Sequence, residues 1–107
     1  MAQRERFESF AEFYPYYLTE HSNGVCRGLH YIGSLQALLV AVYGVVSGNY
    51  WLVLAGILTG YAFAWVGHFF FEHNRPATFQ YPLWSFMGDW VMLKDFLTGR
   101  LRALQSE

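Results

Sequence analysis

The chain has 107 residues, 54% of them hydrophobic and 21% aromatic, with a formal net charge of -1. That length holds one domain, the charge gives no electrostatic footprint for nucleic acid, so no such partner is expected, and the lone cysteine, Cys26, excludes an intrachain disulfide framework or a cysteine-based zinc site. Mean hydropathy is only +0.17, so the apolar residues must be concentrated in a few segments.

The opening stretch, "MAQRERFESFAEFYPYY", carries Arg4, Glu5, Arg6, Glu8 and Glu12 without an uninterrupted apolar run, and no secretory signal is expected there. The flank continues as "FAEFYPYYLTEHSNGVCRGLH", aromatic and broken by Pro15. Ser22-Asn23-Gly24 reads as a turn and an N-cap for the first apolar segment. From Leu29 to Ser47 the chain is apolar and carries no formal charge; Gly48 and Asn49 then signal a turn. From Tyr50 to Phe71 it is again apolar and uncharged. Both stretches reach the length of a transmembrane helix. The alternative, two buried helices of a soluble domain, fits poorly, because so short a chain has little left to cover two helices that are apolar all round. After Pro76, Phe86, Trp90, Leu93, Leu97, Leu101 and Leu104 recur at helical spacing, with Asp89, Lys94, Asp95, Thr98 and Arg102 as the polar complement. This predicts an amphipathic helix over about 84–104 on the membrane surface, as a roof over a site or as a plain anchor. The expected fold is an all-α membrane protein, one domain over 1–107. It comprises a two-span helical hairpin (about 29–47 and 50–71), an N-terminal flank and the interfacial helix.

Arg4, Arg6 and Arg27 precede the first span, Arg75, Lys94, Arg100 and Arg102 follow the second, and the turn has no basic residue. The positive-inside rule places both termini in the cytoplasm, at the inner membrane of a bacterium or the endoplasmic reticulum of a eukaryote. His30 and His68 each lie 19 positions from Asn49. At 1.5 Å per residue both are about 28 Å from the turn, near one hydrocarbon thickness, and should face each other at the cytoplasmic interface. His21 and His73 fall just outside on the same side, so all four histidines gather at one end. Gly56, Gly60, Ala64, His68 and Glu72 form one ridge; Cys26, His30, Gly33, Ala37, Ala41 and Gly44 form another. If the small faces meet, the histidines meet with them. The same ridges would also serve a homo-oligomer.

Neutral imidazole is both a metal ligand and a general base, and ionisable groups at a membrane mark functional sites. Four histidines at one end, with carboxylates nearby, point to a metal site. His68 and Glu72, four apart, share a helix face about 40° from each other, whereas His73 points about 140° away. His73 is therefore read as a surface residue beside a helix C-terminus. Whether Glu20 or His21 turns inward is open, as is the choice among iron, zinc and manganese. Cys26 is read as a small buried residue.

These residues lie in two motifs that resemble the Mpo1-like family of small membrane proteins over nearly the whole chain. "FYPYYLTEHSNGVCRGLHYIG" is similar to its first motif, with histidines at His21 and His30; "AWVGHFFFEHNRPATF" is similar to its second, matching Gly67, His68, Phe71, Glu72, Arg75 and Pro76. The resemblance implies an Fe(II)-dependent dioxygenase of fatty acid α-oxidation that shortens 2-hydroxy fatty acids by one carbon. Such a substrate would keep its tail in the bilayer and bring its head to the histidines. On this reading His21, His30 and His68 hold Fe(II), and three positions remain for a bidentate substrate and O2. Glu72 is then a hydrogen-bond partner of His68 or a labile ligand. Arg75, with Arg27, would pair with the substrate carboxylate as a fork. Asn74 would line the substrate site and, with Pro76, end the helix and direct Arg75. A haem held axially by His30 and His68, or a scaffold without metal, are the competing readings.

Overall fold

A computed structural model describes residues 7–105, with side chains up to residue 102. Arg4 and Arg6, two of the basic residues that orient the chain, and the side chain of Leu104 on the apolar stripe lie outside that range. Among the described residues all regular structure is helical. The elements are α1 (Phe10–Thr19), α2 (Gly24–Ser47), α3 (Trp51–Val66) continued by a π-helical turn (Gly67–Glu72), a 3-10 turn (Ala77–Phe79), α4 (Pro82–Thr98) and α5 (Arg100–Gln105). Packing divides them into two units, His21–Pro76 on one hand, and α1 with α4 and α5 on the other.

The first unit is the hairpin. Asn23 caps α2, its side-chain oxygen accepting from the amides of Val25 at 2.8 Å and Cys26 at 3.1 Å. Gly48, at φ 79°, closes α2 in the left-handed conformation that glycine adopts without cost and starts the turn. The glycine ridges face each other. A Cβ on Gly33 would stand 3.0 Å from the carbonyl oxygen of Gly60, and one on Gly56 3.0 Å from that of Ala37, so the backbones touch where side chains are missing. Across this seam Gln36 Nε2 donates to the Gly56 carbonyl at 3.0 Å, and the Thr59 hydroxyl donates to Gln36 Oε1 at 3.0 Å. The side chains of Gln36 and Thr59 are thus satisfied within the apolar hairpin, as lipid requires. Two helices, Gly24–Ser47 and Trp51–Glu72, are long and apolar enough to cross a membrane, and only 17% and 22% of their most apolar windows are buried. Core helices of a soluble domain would be mostly covered; here Leu39, Tyr43, Val46 and Leu58 point outward.

In the second unit Ser9 caps α1, its hydroxyl accepting from the Glu12 amide at 3.1 Å. Pro15, expected to break this flank, lies inside the helix. A proline costs the bond to the carbonyl four residues back, here that of Ala11, an exposed residue where water can serve instead. Phe13 and Tyr17 are buried, Phe13 against Tyr81 and Trp84 with ring centroids 5.2 and 5.7 Å away. Tyr17 lies flat on Gly88, where a Cβ would come within 2.8 Å of its ring.

Two expectations for the C-terminal helix are corrected. It does not run unbroken over 84–104: α4 ends at Thr98, and Gly99, at φ 83°, separates it from α5. Asp89 and Asp95, assigned to the polar face, turn inward. Asp95 is 1% exposed and accepts from the Tyr14 hydroxyl at 2.8 Å, with Lys94 Nζ 3.2 Å away. Tyr17 donates its hydroxyl to Asp89. The reason is the facing helix, whose tyrosines bury their rings and need acceptors at their tips. Phe86 and Leu97, on the expected apolar stripe, are exposed together with Leu83, Met87 and Phe96.

Burial pushes the Asp89 carboxyl up to about 7, against the opposing pull of the Tyr17 hydrogen bond. The folded value lies above the unfolded one, so its contribution to stability is complete below pH 4 and is lost as pH rises through 7. The packing of α1 on α4 should weaken over that range by an amount on the order of a few kcal/mol. Asp89→Asn should flatten the dependence. Thermal melts of both proteins between pH 4 and pH 8 check this.

Candidate metal centre

His30 lies in the second turn of α2, His68 is the second residue of the π-helical turn, and His21 sits in the short segment before α2. All three are buried, at 4%, 2% and 1% exposure. The two helices approach here because Gly67 lies on Cys26: a Cβ on Gly67 would stand 2.8 Å from its sulfur. His21 Nε2 is 3.1 Å from His30 Nε2 and 3.0 Å from His68 Nε2, and the three rings meet edge to face with centroids 4.4, 4.5 and 5.0 Å apart.

The far nitrogens fix the tautomers. His30 Nδ1 is 2.8 Å from the Cys26 carbonyl oxygen, which can only accept, so Nδ1 carries the proton and Nε2 presents a lone pair. His68 Nδ1 is 2.7 Å from Asn74 Oδ1, which acts in the same way. Asn74 reaches back because His73 takes a left-handed conformation at φ 60°, reversing the chain, and the Asn74 amide donates to the His68 carbonyl at 3.0 Å. Two lone pairs thus face His21 Nε2 in a buried space. A single proton on that atom serves one of them; a cation serves all three.

The other candidates are placed differently from the expectation. Among the described residues Glu72 makes no hydrogen bond to His68. Its Oε2 accepts from the Asn23 amide at 2.6 Å and its Oε1 from the Ser22 hydroxyl at 3.3 Å. The partner of His68 is Asn74, which was expected to line the substrate site and end the helix. The uniform α-helical geometry assumed for His68 and Glu72 fails because the helix widens into a π turn there. An asparagine two residues before Pro76 was the available signal, since such residues close helices and fold back. Arg27 Nε donates to the His21 carbonyl. Arg75 is exposed, as is His73, which lies outside the histidine group. Of the pair Glu20 and His21, it is His21 that joins His30 and His68. Cys26 is fully buried, with its sulfur 3.7 Å from His30 Nδ1.

The donor set fits a metal ion. Two nitrogens that ligate one ion at right angles, each at about 2.1 Å, stand about 3 Å apart, which is the spacing found around His21. Three buried imidazoles with their ligand nitrogens within 4.8 Å of one another, two of the rings oriented by oxygen acceptors, are the pattern of sites that hold iron, zinc, copper or nickel. No curated protein and no solved structure matches this chain. A family described as "2-hydroxy-palmitic acid dioxygenase Mpo1-like" matches residues 7–101, which include the three histidines and both oxygen acceptors that orient His30 and His68. With that match spanning nearly all of its length, the chain belongs to the Mpo1-like family.

Proposed function

We propose that the protein is an Fe(II)-dependent dioxygenase that shortens 2-hydroxy fatty acids by one carbon at the cytoplasmic surface of a membrane. The observation that carries this reading is the convergence of three buried imidazole Nε2 atoms at one end of an apolar hairpin. The family description, which names a 2-hydroxy-palmitic acid dioxygenase, supports the substrate class. Iron(II) held by His21, His30 and His68 would supply the redox centre at which O2 meets the 2-hydroxy carboxylate.

The chain's own residues have separate tasks. The Cys26 carbonyl and Asn74 hold the Nδ1 protons of His30 and His68, so that both Nε2 lone pairs point inward. Both carboxylate oxygens of Glu72 are hydrogen-bonded to Ser22 and Asn23, so His21, His30 and His68 would be the three residues to hold the ion, leaving room beside them for the substrate head group. Arg27 supports His21 through its carbonyl, and the substrate carboxylate falls to the exposed Arg75 as a guanidinium fork. The exposed Phe69, Phe70 and Phe71 at this end offer apolar surface to the acyl tail. The described basic residues, Arg27, Arg75, Lys94, Arg100 and Arg102, all fall outside the stretch of chain from His30 to Asn74, and the turn at Gly48 and Asn49 has none, which supports the cytoplasmic placement.

The overall reaction balances without a further reductant. One 2-hydroxy acid and one O2 give the acid one carbon shorter, CO2 and water. Equal consumption of O2 and release of CO2 from a 2-hydroxy fatty acid, by protein loaded with Fe(II) in detergent, is the test; no substrate-dependent O2 uptake by the loaded protein would overturn the reading. Asn74→Leu, which keeps the side-chain size and removes the acceptor of His68, should weaken iron binding about 10–100-fold with the hairpin intact. A Soret band on the purified protein would instead favour a haem, although His30 and His68 rings only 5.0 Å apart would have to separate to admit one. Full function with all three histidines replaced would favour a scaffold.

A further inference from the structure

His21 differs from the other two histidines of the cluster. His30 and His68 project from long helical elements, whereas His21 belongs to the short segment between α1 and α2. A side chain on such a segment has no helix to hold its ring in place. Among the described contacts of this segment, two come from the hairpin's helices. One is Arg27, whose Nε donates to the His21 carbonyl. The other is Glu72, whose carboxylate takes the Asn23 amide at 2.6 Å and the Ser22 hydroxyl at 3.3 Å. Glu72 closes the π-helical turn that carries His68, so one carboxylate ties the His68 element to the two residues after His21.

We propose that Glu72 is a positioning residue: its carboxylate clamps Ser22 and Asn23 and thereby delivers His21 to the face formed by His30 and His68. It acts through His21 and is not a ligand. The clamp has the chemistry for this task. A charged acceptor at 2.6 Å makes one of the stronger hydrogen bonds available to a backbone amide. The same amide opens α2, whose N-terminus favours a negative charge, and Asn23 completes the junction by capping Val25 and Cys26. The consequence for the site rests on the proposed metal function, but the clamp itself does not.

Two measurements test the proposal. In metal-free protein, NMR of the Asn23 amide and of the His21 ring should show a protected amide in the wild type. Glu72→Ala should lose that protection and shift the His21 ring signals, while Glu72→Gln, which keeps one oxygen acceptor, should restore much of both. An Asn23 amide and a His21 ring indifferent to Glu72→Ala would overturn the clamp. The second measurement uses Co(II) alone, followed by its visible absorption. Glu72→Ala should weaken binding about 10–100-fold, and the double variant His21→Ala, Glu72→Ala should bind no more weakly than His21→Ala, because Glu72 has no effect once His21 is gone. A double variant weaker than His21→Ala, with no recovery in Glu72→Gln, would make Glu72 a ligand and overturn its positioning role. Failure of the wild type to bind Co(II) or Fe(II) would overturn the metal reading alone, and the metal-free spectra would still decide the clamp.

Discussion

Replacing His68 with alanine is expected to strip the protein of near-stoichiometric iron, while His73→Ala keeps it. The two histidines are five positions apart at the end of one helix, yet the chain treats them differently. His68 is 2% exposed with Nε2 3.0 Å from that of His21, and His73 is exposed at a left-handed residue that ends the π turn. Loss of His68 leaves two nitrogens where three converged, and the drop in affinity should exceed the about 10–100-fold that a residue supporting a ligand costs. His73→Ala removes nothing from the site. It leaves a Cβ in the left-handed region, so its stability should stay close to that of the wild type, and His73→Gly should raise it by roughly 1 kcal/mol. Anaerobic purification in detergent followed by elemental mass spectrometry reads all three variants. Iron kept by His68→Ala, or lost by His73→Ala, would mean that the ion sits elsewhere.

The hairpin end was legible because its determinants are local and periodic. Apolar runs of span length, a Gly-Asn turn and equal distances from that turn place His30 opposite His68 with no knowledge of the rest of the chain. The glycine ridges were legible for a similar reason: spacing by four marks one helix face, and in lipid a face of small residues is where another backbone can come close. The structure uses them in this way, Gly33 on Gly60 and Gly56 on Ala37.

What stayed hidden depends on departures from regular geometry or on pairing between distant segments. The assignment of Glu72 to His68 came from uniform α-helical angles, and a π turn with a left-handed residue after it changes which side chain reaches back. Asn74 takes that place, and Glu72 reaches Ser22 and Asn23, some fifty residues earlier in the chain. The inward turn of Asp89 and Asp95 was hidden differently. A hydrophobic pattern assigns a carboxylate to water unless the facing element is known, and here that element carries Tyr14 and Tyr17. Pro15 inside α1 belongs with these: its cost is small when the carbonyl that loses its bond is exposed, and exposure is a tertiary fact. The break at Gly99 had a visible signal, a glycine after a run of helical periodicity, which the continuing stripe through Leu101 obscured.

Adding side-chain atoms at Gly67 is expected to separate the two helices at the site and to lower metal affinity by about two orders of magnitude. Gly67 immediately precedes His68. An ideal Cβ there would stand 2.8 Å from Cys26 Sγ, 3.1 Å from Cys26 Cα and 3.3 Å from Cys26 Cβ. The sulfur can move a little. The Cα cannot, because it belongs to the first turn of α2, four residues before His30. Relief therefore has to come from moving the π turn away from α2, which pulls His68 from His30 and His21. Overpacking of this kind costs about 1–3 kcal/mol of stability, and disturbing what holds a ligand in place costs up to about 100-fold in metal affinity. Gly67→Val should show both effects and Gly67→Ala a smaller version. Cys26→Ala in the Gly67→Ala background removes the nearest atom and should return part of the lost affinity, but not all, since the backbone contact at 3.1 Å remains. Gly28→Ala, at a position with nothing within 4 Å, is the control: it should leave metal binding unchanged and add roughly 1 kcal/mol to the helix. Equal metal affinity in Gly67→Val and Gly28→Ala would mean that the close approach on Cys26 does not set the distance between the histidines.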